Sequence, residues 1–167
     1  GGLTIGGTGG ALEDNTVSAN VNLGNSFIVT GNTIDGSLSV GGGSTVDHNT
    51  VSNGISVGTD STVTWNNVDG GGTGLACGAN VTARHNRLVG NTTGMTASTG
   101  LIEQNLIANS TGTGLQVAGN AAISNNTFTG NKGSAILIFS GAPAVHANNL
   151  QFNSGTYDIE NQGTSDI

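Results

Sequence analysis

The chain has 167 residues, of which 34% are hydrophobic and 8% are charged, and its net charge is −7. Its basic residues are only Arg84, Arg87 and Lys132, too few to follow a phosphate backbone, which excludes nucleic acid and anionic membrane surfaces as partners. The single cysteine, Cys77, excludes an internal disulfide and any CxxC metal or redox motif.

Two short patterns alternate along the chain from its first residues to its last. The first to appear, apolar-x-apolar, has the period of two that indicates a β-strand. Its copies are Leu3/Ile5, Val21/Leu23, Leu38/Val40, Ile55/Val57, Leu75/Cys77, Met95/Ala97, Leu115/Val117, Ile136/Ile138 and Tyr157/Ile159. The second, apolar-x-x-Asn-x-apolar, falls between them. Its copies are Leu12-Asn15-Val17, Val29-Asn32-Ile34, Val46-Asn49-Val51, Val63-Asn66-Val68, Ala83-Asn86-Leu88, Ile102-Asn105-Ile107, Ile123-Asn126-Phe128 and Val145-Asn148-Leu150.

Such a repeat predicts an all-β solenoid in which each coil contains three short strands and three turns. Successive strand patterns begin 17 to 21 residues apart, which gives about eight coils. Strands stack about 4.8 Å apart in a sheet, so the coils build a thin rod with a core of aliphatic columns. We expect residues 1–167 to form one such domain.

One turn of the coil changes length along the chain. The distance from the Asn of the second pattern to the start of the next apolar-x-apolar pattern is 6 residues in the first three coils and 9 or 10 residues from Asn66 onward. The enlarged turns span residues 69–74, 89–94, 108–114, 129–135 and 151–156. Loops that admit insertions often carry function, so these turns are the predicted place for a binding ridge.

The recurring Asn is interpreted as a structural ladder. A sharp bend between strands favours a residue that tolerates left-handed backbone and can bond exposed peptide groups, and Asn does both. Stacked once per coil, such side chains bond to one another. The predicted ladder comprises Asn15, Asn32, Asn49, Asn66, Asn86, Asn105, Asn126 and Asn148.

The best local cluster lies one residue before the ladder. His48, Trp65 and His85 hold this position in three consecutive coils, so their rings are expected to stack. Aromatic faces bind sugar rings, which predicts a carbohydrate platform; the alternative is that the rings stack only for stability. Beside them, Arg84 and Glu103 share a repeat position and predict an ion pair between coils.

These motifs resemble the right-handed parallel β-helix repeat of the pectin-lyase-like superfamily, over Leu3 to Ile159. That superfamily holds polysaccharide lyases, glycoside hydrolases, alginate epimerases, phage tailspikes and surface adhesins, so the resemblance implies a fold rather than one activity. The chain departs from it in having shorter coils and no amphipathic helix before the first coil. A leucine-rich repeat needs longer units, and a left-handed hexapeptide helix needs an apolar residue every six positions.

The enzymes of that superfamily use clustered acids, a calcium ion and a nearby base. Here the acids are dispersed, and we predict no catalytic residue, no metal and no cofactor. The alternative is a pair of carboxylates, Asp35 and Asp69, two coils and about 10 Å apart with Ser52 between them, a separation compatible with an inverting glycosidase.

Two functional hypotheses follow. The favoured one is a non-enzymatic structural, adhesin or fibre-forming module, extracellular or at the cell surface, that associates end to end through open strand edges. The alternative is a module that binds or modifies a polysaccharide, and its partner is then a cell-surface glycan. No apolar run suits membrane insertion. Since the chain starts at Gly1 without Met, it is expected to be a processed piece or fragment of a longer repeat protein.

Overall fold

The computed structural model describes residues 2–163, which form 23 β-strands and no helix. Every strand pairing is parallel, and each circuit of the chain adds one strand to each of three faces. The predicted all-β parallel solenoid of about eight coils is confirmed.

The strands are short except at the start of the chain. In chain order they are β1 (Leu3–Glu13), β2 (Thr16–Val17), β3 (Val21–Thr30), β4 (Thr33–Ile34), β5 (Leu38–Val40), β6 (Thr45–Asp47), β7 (Thr50–Val51), β8 (Ile55–Val57), β9 (Thr62–Thr64), β10 (Asn67–Asp69), β11 (Thr73–Cys77), β12 (Val81–Arg84), β13 (Arg87–Val89), β14 (Thr93–Ala97), β15 (Gly100–Glu103), β16 (Leu106–Ala108), β17 (Leu115–Ala118), β18 (Ala121–Ser124), β19 (Thr127–Thr129), β20 (Ile136–Ser140), β21 (Ala144–His146), β22 (Asn149–Gln151) and β23 (Ile159–Asn161).

We name the three faces A, B and C in the order in which the chain meets them. Face A contains β1, β3, β5, β8, β11, β14, β17, β20 and β23. Face B contains the later halves of β1 and β3, then β6, β9, β12, β15, β18 and β21. Face C contains β2, β4, β7, β10, β13, β16, β19 and β22. Because β1 and β3 bend around a corner without a break, faces A and B form one 15-stranded sheet, while face C is a separate 8-stranded sheet.

The interior consists of aliphatic columns with one residue per coil. On face A, parallel register aligns Leu38, Ile55 and Leu75, which are at most 2% exposed. On face C, Val51 lies beside Val68, and both are buried. Fully burying one such side chain contributes about 1.5–3 kcal/mol, so the columns are the main source of stability in this narrow rod.

Burial is less complete in the terminal coils. In the first coil Leu3 and Val17 are only partly buried and Ile5 is 39% exposed. In the last, Leu150 and Ile159 are also only partly buried. Among the described residues these side chains have a neighbouring coil on one side alone.

The predicted register of the last coil is wrong by two residues. Ile159, and not Tyr157, lies beside Ile136 on face A, and Tyr157 is 62% exposed. Asp158 directly precedes the strand and accepts a backbone hydrogen bond from Ile136 at 3.0 Å. Tyr157 and Ile159 are two residues apart, so the alternation of inward and outward side chains alone does not decide which of them faces the core. The longer preceding turn places Ile159 beside Ile136.

The corner between faces B and C is formed by a left-handed residue. The sequence predicts the left-handed conformation at the ladder Asn, whereas the structure shows it at the preceding residue. Positive φ values of 52 to 69° occur at Asp14, Gly31, His48, Trp65, His85, Gln104, Asn125 and Ala147. The left-handed residue turns the chain with its own side chain outward, and the following Asn then points into the core.

From the fourth coil onward, the turn between faces C and A contains an additional corner. Counted between the last inward residue of face C and the first inward residue of face A, the longer connections span residues 69–74, 89–94, 108–114, 129–135 and 151–158, and we call them the wide turns. The narrow turns are the three-residue connections 18–20, 35–37 and 52–54. A left-handed residue again makes the corner, as at Gly90, Asn109, Gly130 and Phe152. The step in coil width therefore lies between β8 and β11.

Candidate functional site

The Asn ladder is continuous through the described coils. Each backbone N–H of Asn15 to Asn126 donates to the Oδ1 of the ladder Asn in the next coil at 2.9–3.0 Å. Each Nδ2 from Asn32 to Asn148 also donates to a face B carbonyl of the preceding coil at 2.8–2.9 Å. The amides thus satisfy backbone groups that a buried corner would otherwise leave unpaired.

A second, partial ladder lies inside the wide turns, and sequence reasoning missed it. Its positions are five residues after the first ladder: Asn91, Ser110, Asn131 and Asn153. The first three are at 0% exposure, and Asn131 Nδ2 donates to Asn153 Oδ1 at 2.9 Å. The signal in the sequence is a second Asn five residues after the ladder Asn, a pattern that Gly71 and Ser110 interrupt.

The three predicted rings do stack. The ring centroids of His48 and Trp65 are 6.0 Å apart, and those of Trp65 and His85 are 4.2 Å apart, with interplanar angles of 19° and 12°. Trp65 is 54% exposed although it lies between the two imidazoles. At 4.2 Å and 12°, the His85 ring stacks closely on one face of Trp65, while the His48 ring is further away on the neighbouring coil.

A polar row on face B runs beside the rings. The Asp47 carboxylate accepts a hydrogen bond from Thr64 Oγ1 and lies 2.6 Å from His48 Nδ1. One coil further, Arg84 Nε and Glu103 Oε1 are 2.7 Å apart, which confirms the predicted ion pair. Asp47 therefore bonds to the next coil through the Thr64 hydroxyl, and Arg84 and Glu103 join two coils by an ion pair.

A shallow groove of about 200 Å³ lies on face A at the step in coil width. Leu38, Ile55 and Ala76 form its apolar part, and the polar groups of Ser37, Ser39, Asn53, Ser56 and Thr73 line it. These five side chains make no hydrogen bond to another described residue. Gly54 permits the step, since a Cβ there would lie 2.4 Å from the Thr73 carbonyl oxygen.

The alternative carboxylate pair, Asp35 and Asp69, lies on two coils with Ser52 of the intervening coil between them. Asp35 accepts a hydrogen bond from Ser52 Oγ at 3.0 Å, and Asp69 lies on the next coil, exposed at the end of β10. Near the C-terminal end, hydrogen bonds from Gln162 and then Ser134 hold the pKa of Glu160 below its ordinary value.

Cys77 has an inward position on face A. The residue keeps some accessible surface, but burial raises the pKa of its thiol to about 12. A thiol that stays protonated at neutral pH is a weak nucleophile.

Residues 2–163 contain no group of three or more His, Cys, Asp or Glu side chains placed to hold a metal ion. The same part of the chain has no helix with the length and apolar character to cross a membrane.

Comparison with known proteins yields one family. The family model described as "right handed beta helix region" matches residues 1–167. No curated protein and no solved structure matches the chain. Since the match covers the whole chain and the strands form a parallel solenoid, the chain belongs to the right-handed β-helix family.

Proposed function

We propose that the chain is a non-enzymatic structural module of an extracellular or cell-surface protein, of the adhesin or fibre-forming kind. The observation that carries the proposal is the use of its reactive side chains between coils. Asp47 contacts His48 and Thr64, and Glu103 is paired with Arg84. Carboxylates and imidazoles engaged in this way hold neighbouring coils in register and are not gathered around a substrate.

The terminal coils suggest how the module assembles. Within residues 2–163, β1 is paired with β3 alone, and the partly exposed Ile5 lies on the strand whose other edge has no partner there. Free edges next to unburied apolar side chains favour the addition of further strands. The occupant we propose for this edge is the last coil of a second copy, which gives end-to-end filaments.

Light scattering over a concentration series, with electron microscopy of the same samples, tests this assembly. We expect particle length to grow with concentration, and Ile5→Lys to prevent the growth by placing a charge at the end of the core. Ile28→Lys is the matched control, since Ile28 is 50% exposed on the side of face B. A rod that stays monomeric at high concentration would reject end-to-end assembly.

Carbohydrate binding is the second candidate, and the groove at the step favours it. Free hydroxyl and amide groups around an apolar floor suit a neutral sugar ring, which presents both C–H and hydroxyl surfaces. The ring stack suits a sugar less well, because the His85 ring, 4.2 Å away, already covers one face of Trp65.

A glycan array with the wild type and three variants separates these sites. Ala76→Tyr fills the groove and should abolish binding, whereas Thr96→Tyr, in the same outward row one coil beyond, should not. Trp65→Ala tests the ring stack. Loss of binding only in Trp65→Ala would assign the site to the rings, and four identical blank arrays would remove carbohydrate binding from consideration.

A further inference from the structure

The second ladder is incomplete at one rung, and the interruption leaves buried polar groups without partners. Asn131 shows the complete arrangement: its Oδ1 accepts from the Ser110 backbone N–H, and its Nδ2 donates to Ile107 O in the preceding coil and to Asn153 Oδ1 in the next. In the coil before, the ladder position is Ser110, whose side chain lacks a carboxamide.

The rung between Asn91 and Ser110 lacks the corresponding bonds. Asn91 Nδ2 reaches only its own coil, at Val89 O and 3.3 Å, and Asn91 Oδ1, which by the direction of the ladder belongs to the rung with Gly71, has no partner. Ser110 Oγ has none either, although both residues are 0% exposed. A buried polar group without a hydrogen bond costs about 1–3 kcal/mol, so such an arrangement calls for a further partner.

The surroundings indicate the size and chemistry of that partner. Where the second ladder has an Asn, its carboxamide lies against a glycine of the preceding coil. A Cβ at Gly74 would be 2.7 Å from Asn91 Nδ2, and one at Gly114 would be 3.1 Å from Asn131 Nδ2. Gly94 occupies the equivalent place beside Ser110. A hydroxyl fills less of this space than a carboxamide does, and the difference suits a ligand of one heavy atom that both donates and accepts.

We propose that a single water molecule is bound at the Ser110 rung, where it takes the place of the absent ladder carboxamide. It accepts from the Asn91 backbone N–H, the donor that pairs with Oδ1 in the complete rungs, and bonds to Ser110 Oγ. Buried waters typically make about three hydrogen bonds to groups that the protein leaves unpaired, and this rung offers such groups from two adjacent coils. The water completes the second ladder where the sequence does not.

Two measurements test the site. In the wild type, water–protein NOE spectra should show a long-lived water next to the amide groups of Asn91. In Ser110→Asn the carboxamide should displace this water, the NOE should vanish, and the melting temperature should rise by about 2–4 °C.

Ser44→Asn is the matched control. Ser44 is buried in another corner, but its Oγ already donates to Gly41 O at 2.8 Å and accepts from the Phe27 N–H, so the same substitution there should lower the melting temperature. The water site is rejected if the wild type shows no long-lived water at Asn91, or if Ser110→Asn lowers the melting temperature as Ser44→Asn does. The first measurement needs no variant and therefore does not depend on how the substitutions fold.

Discussion

The narrow turns and the wide turns both connect face C to face A, but different side chains bond to their backbone groups. In a narrow turn the chain passes from face C to face A in three residues, and an exposed side chain, Asn20, accepts from the Ser37 backbone N–H at 2.9 Å. In a wide turn the chain makes an extra corner, which buries backbone groups that need internal partners. The second ladder, with Asn131 at 0% exposure, supplies them. Widening a coil therefore requires new buried polar chemistry as well as more residues.

The first ladder is common to both regions and should be the most sensitive to substitution. The Asn86 side chain is buried: its Oδ1 accepts from Asn66, and its Nδ2 donates to Asn105 Oδ1 and to Val63 O. Asn86→Ala removes these partners in two coils at once, so we expect the free energy of unfolding to fall by about 3 kcal/mol. Urea unfolding followed by circular dichroism measures the loss.

An outward-facing Asn on the preceding coil, Asn67, provides the control for that substitution. Asn67 Oδ1 accepts from Arg87 Nη1 at 2.7 Å on the surface, so Asn67→Ala should change the unfolding free energy by less than about 0.5 kcal/mol. Equal losses in Asn86→Ala and Asn67→Ala would show that the ladder is not what holds the corner.

The second ladder should respond less, because its bonds are fewer and longer. Asn131 bonds to Ile107 O at 3.2 Å and to Asn153 Oδ1 at 2.9 Å, and Asn153 is only half-buried. We expect Asn131→Ala to lower the unfolding free energy by about 1–2 kcal/mol. Lys132→Ala, the next residue and exposed, serves as control and should be neutral. A loss as large as that of Asn86→Ala would remove the distinction between the two ladders.

Cys77 lies at the step in coil width. Its strand, β11, begins at the end of the first wide turn, and Cys77 lies beside Val57 of β8. Burial raises the pKa of its thiol from 9.0 to about 12. The unfolded chain loses this proton above pH 9 and the folded chain keeps it until about pH 12, so stability falls as pH rises through that interval, by up to about 1.4 kcal/mol per pH unit.

A series of unfolding curves between pH 8 and pH 11 checks this dependence. Subtracting the curve of Cys77→Ala removes the contribution of every other titrating group, and the wild type should then lose stability relative to the variant as the pH rises. Parallel curves would show that the thiol is open to solvent and that the coils at the step pack loosely.

The contrast between the two ladders also explains what could be predicted from sequence. Eight copies of one motif place Asn15 to Asn148 without ambiguity, and the same register brings His48, Trp65 and His85 together. The second ladder has an Asn at three of its four positions, and Ser110 hides the period. The groove was not predicted, because it depends on the offset between coils of different width.

The terminal coil shows a different limit. Tyr157 and Ile159 have the same parity, and only the length of the preceding turn decides which of them covers Ile136. Likewise, the motif shows that the chain turns near each ladder Asn but not that the preceding residue carries the positive φ, since a Trp at that position is unexpected for a left-handed conformation. Stacking with His85 at 4.2 Å is the compensating contact.

The smallest expected effect concerns the surface of face B, whose strands continue in register from the narrow into the wide region. Arg84 and Glu103 form an ion pair with side chains 41% and 20% exposed, so solvent screens much of their attraction. A double-mutant cycle with Arg84→Gln and Glu103→Gln should give a coupling free energy under about 1 kcal/mol, decreasing as salt is raised. A coupling as large as the loss in Asn86→Ala would mean that surface charges, and not the interior amides, keep adjacent coils aligned. Since the ladder continues through coils that carry no such pair, we expect the interior amides to dominate.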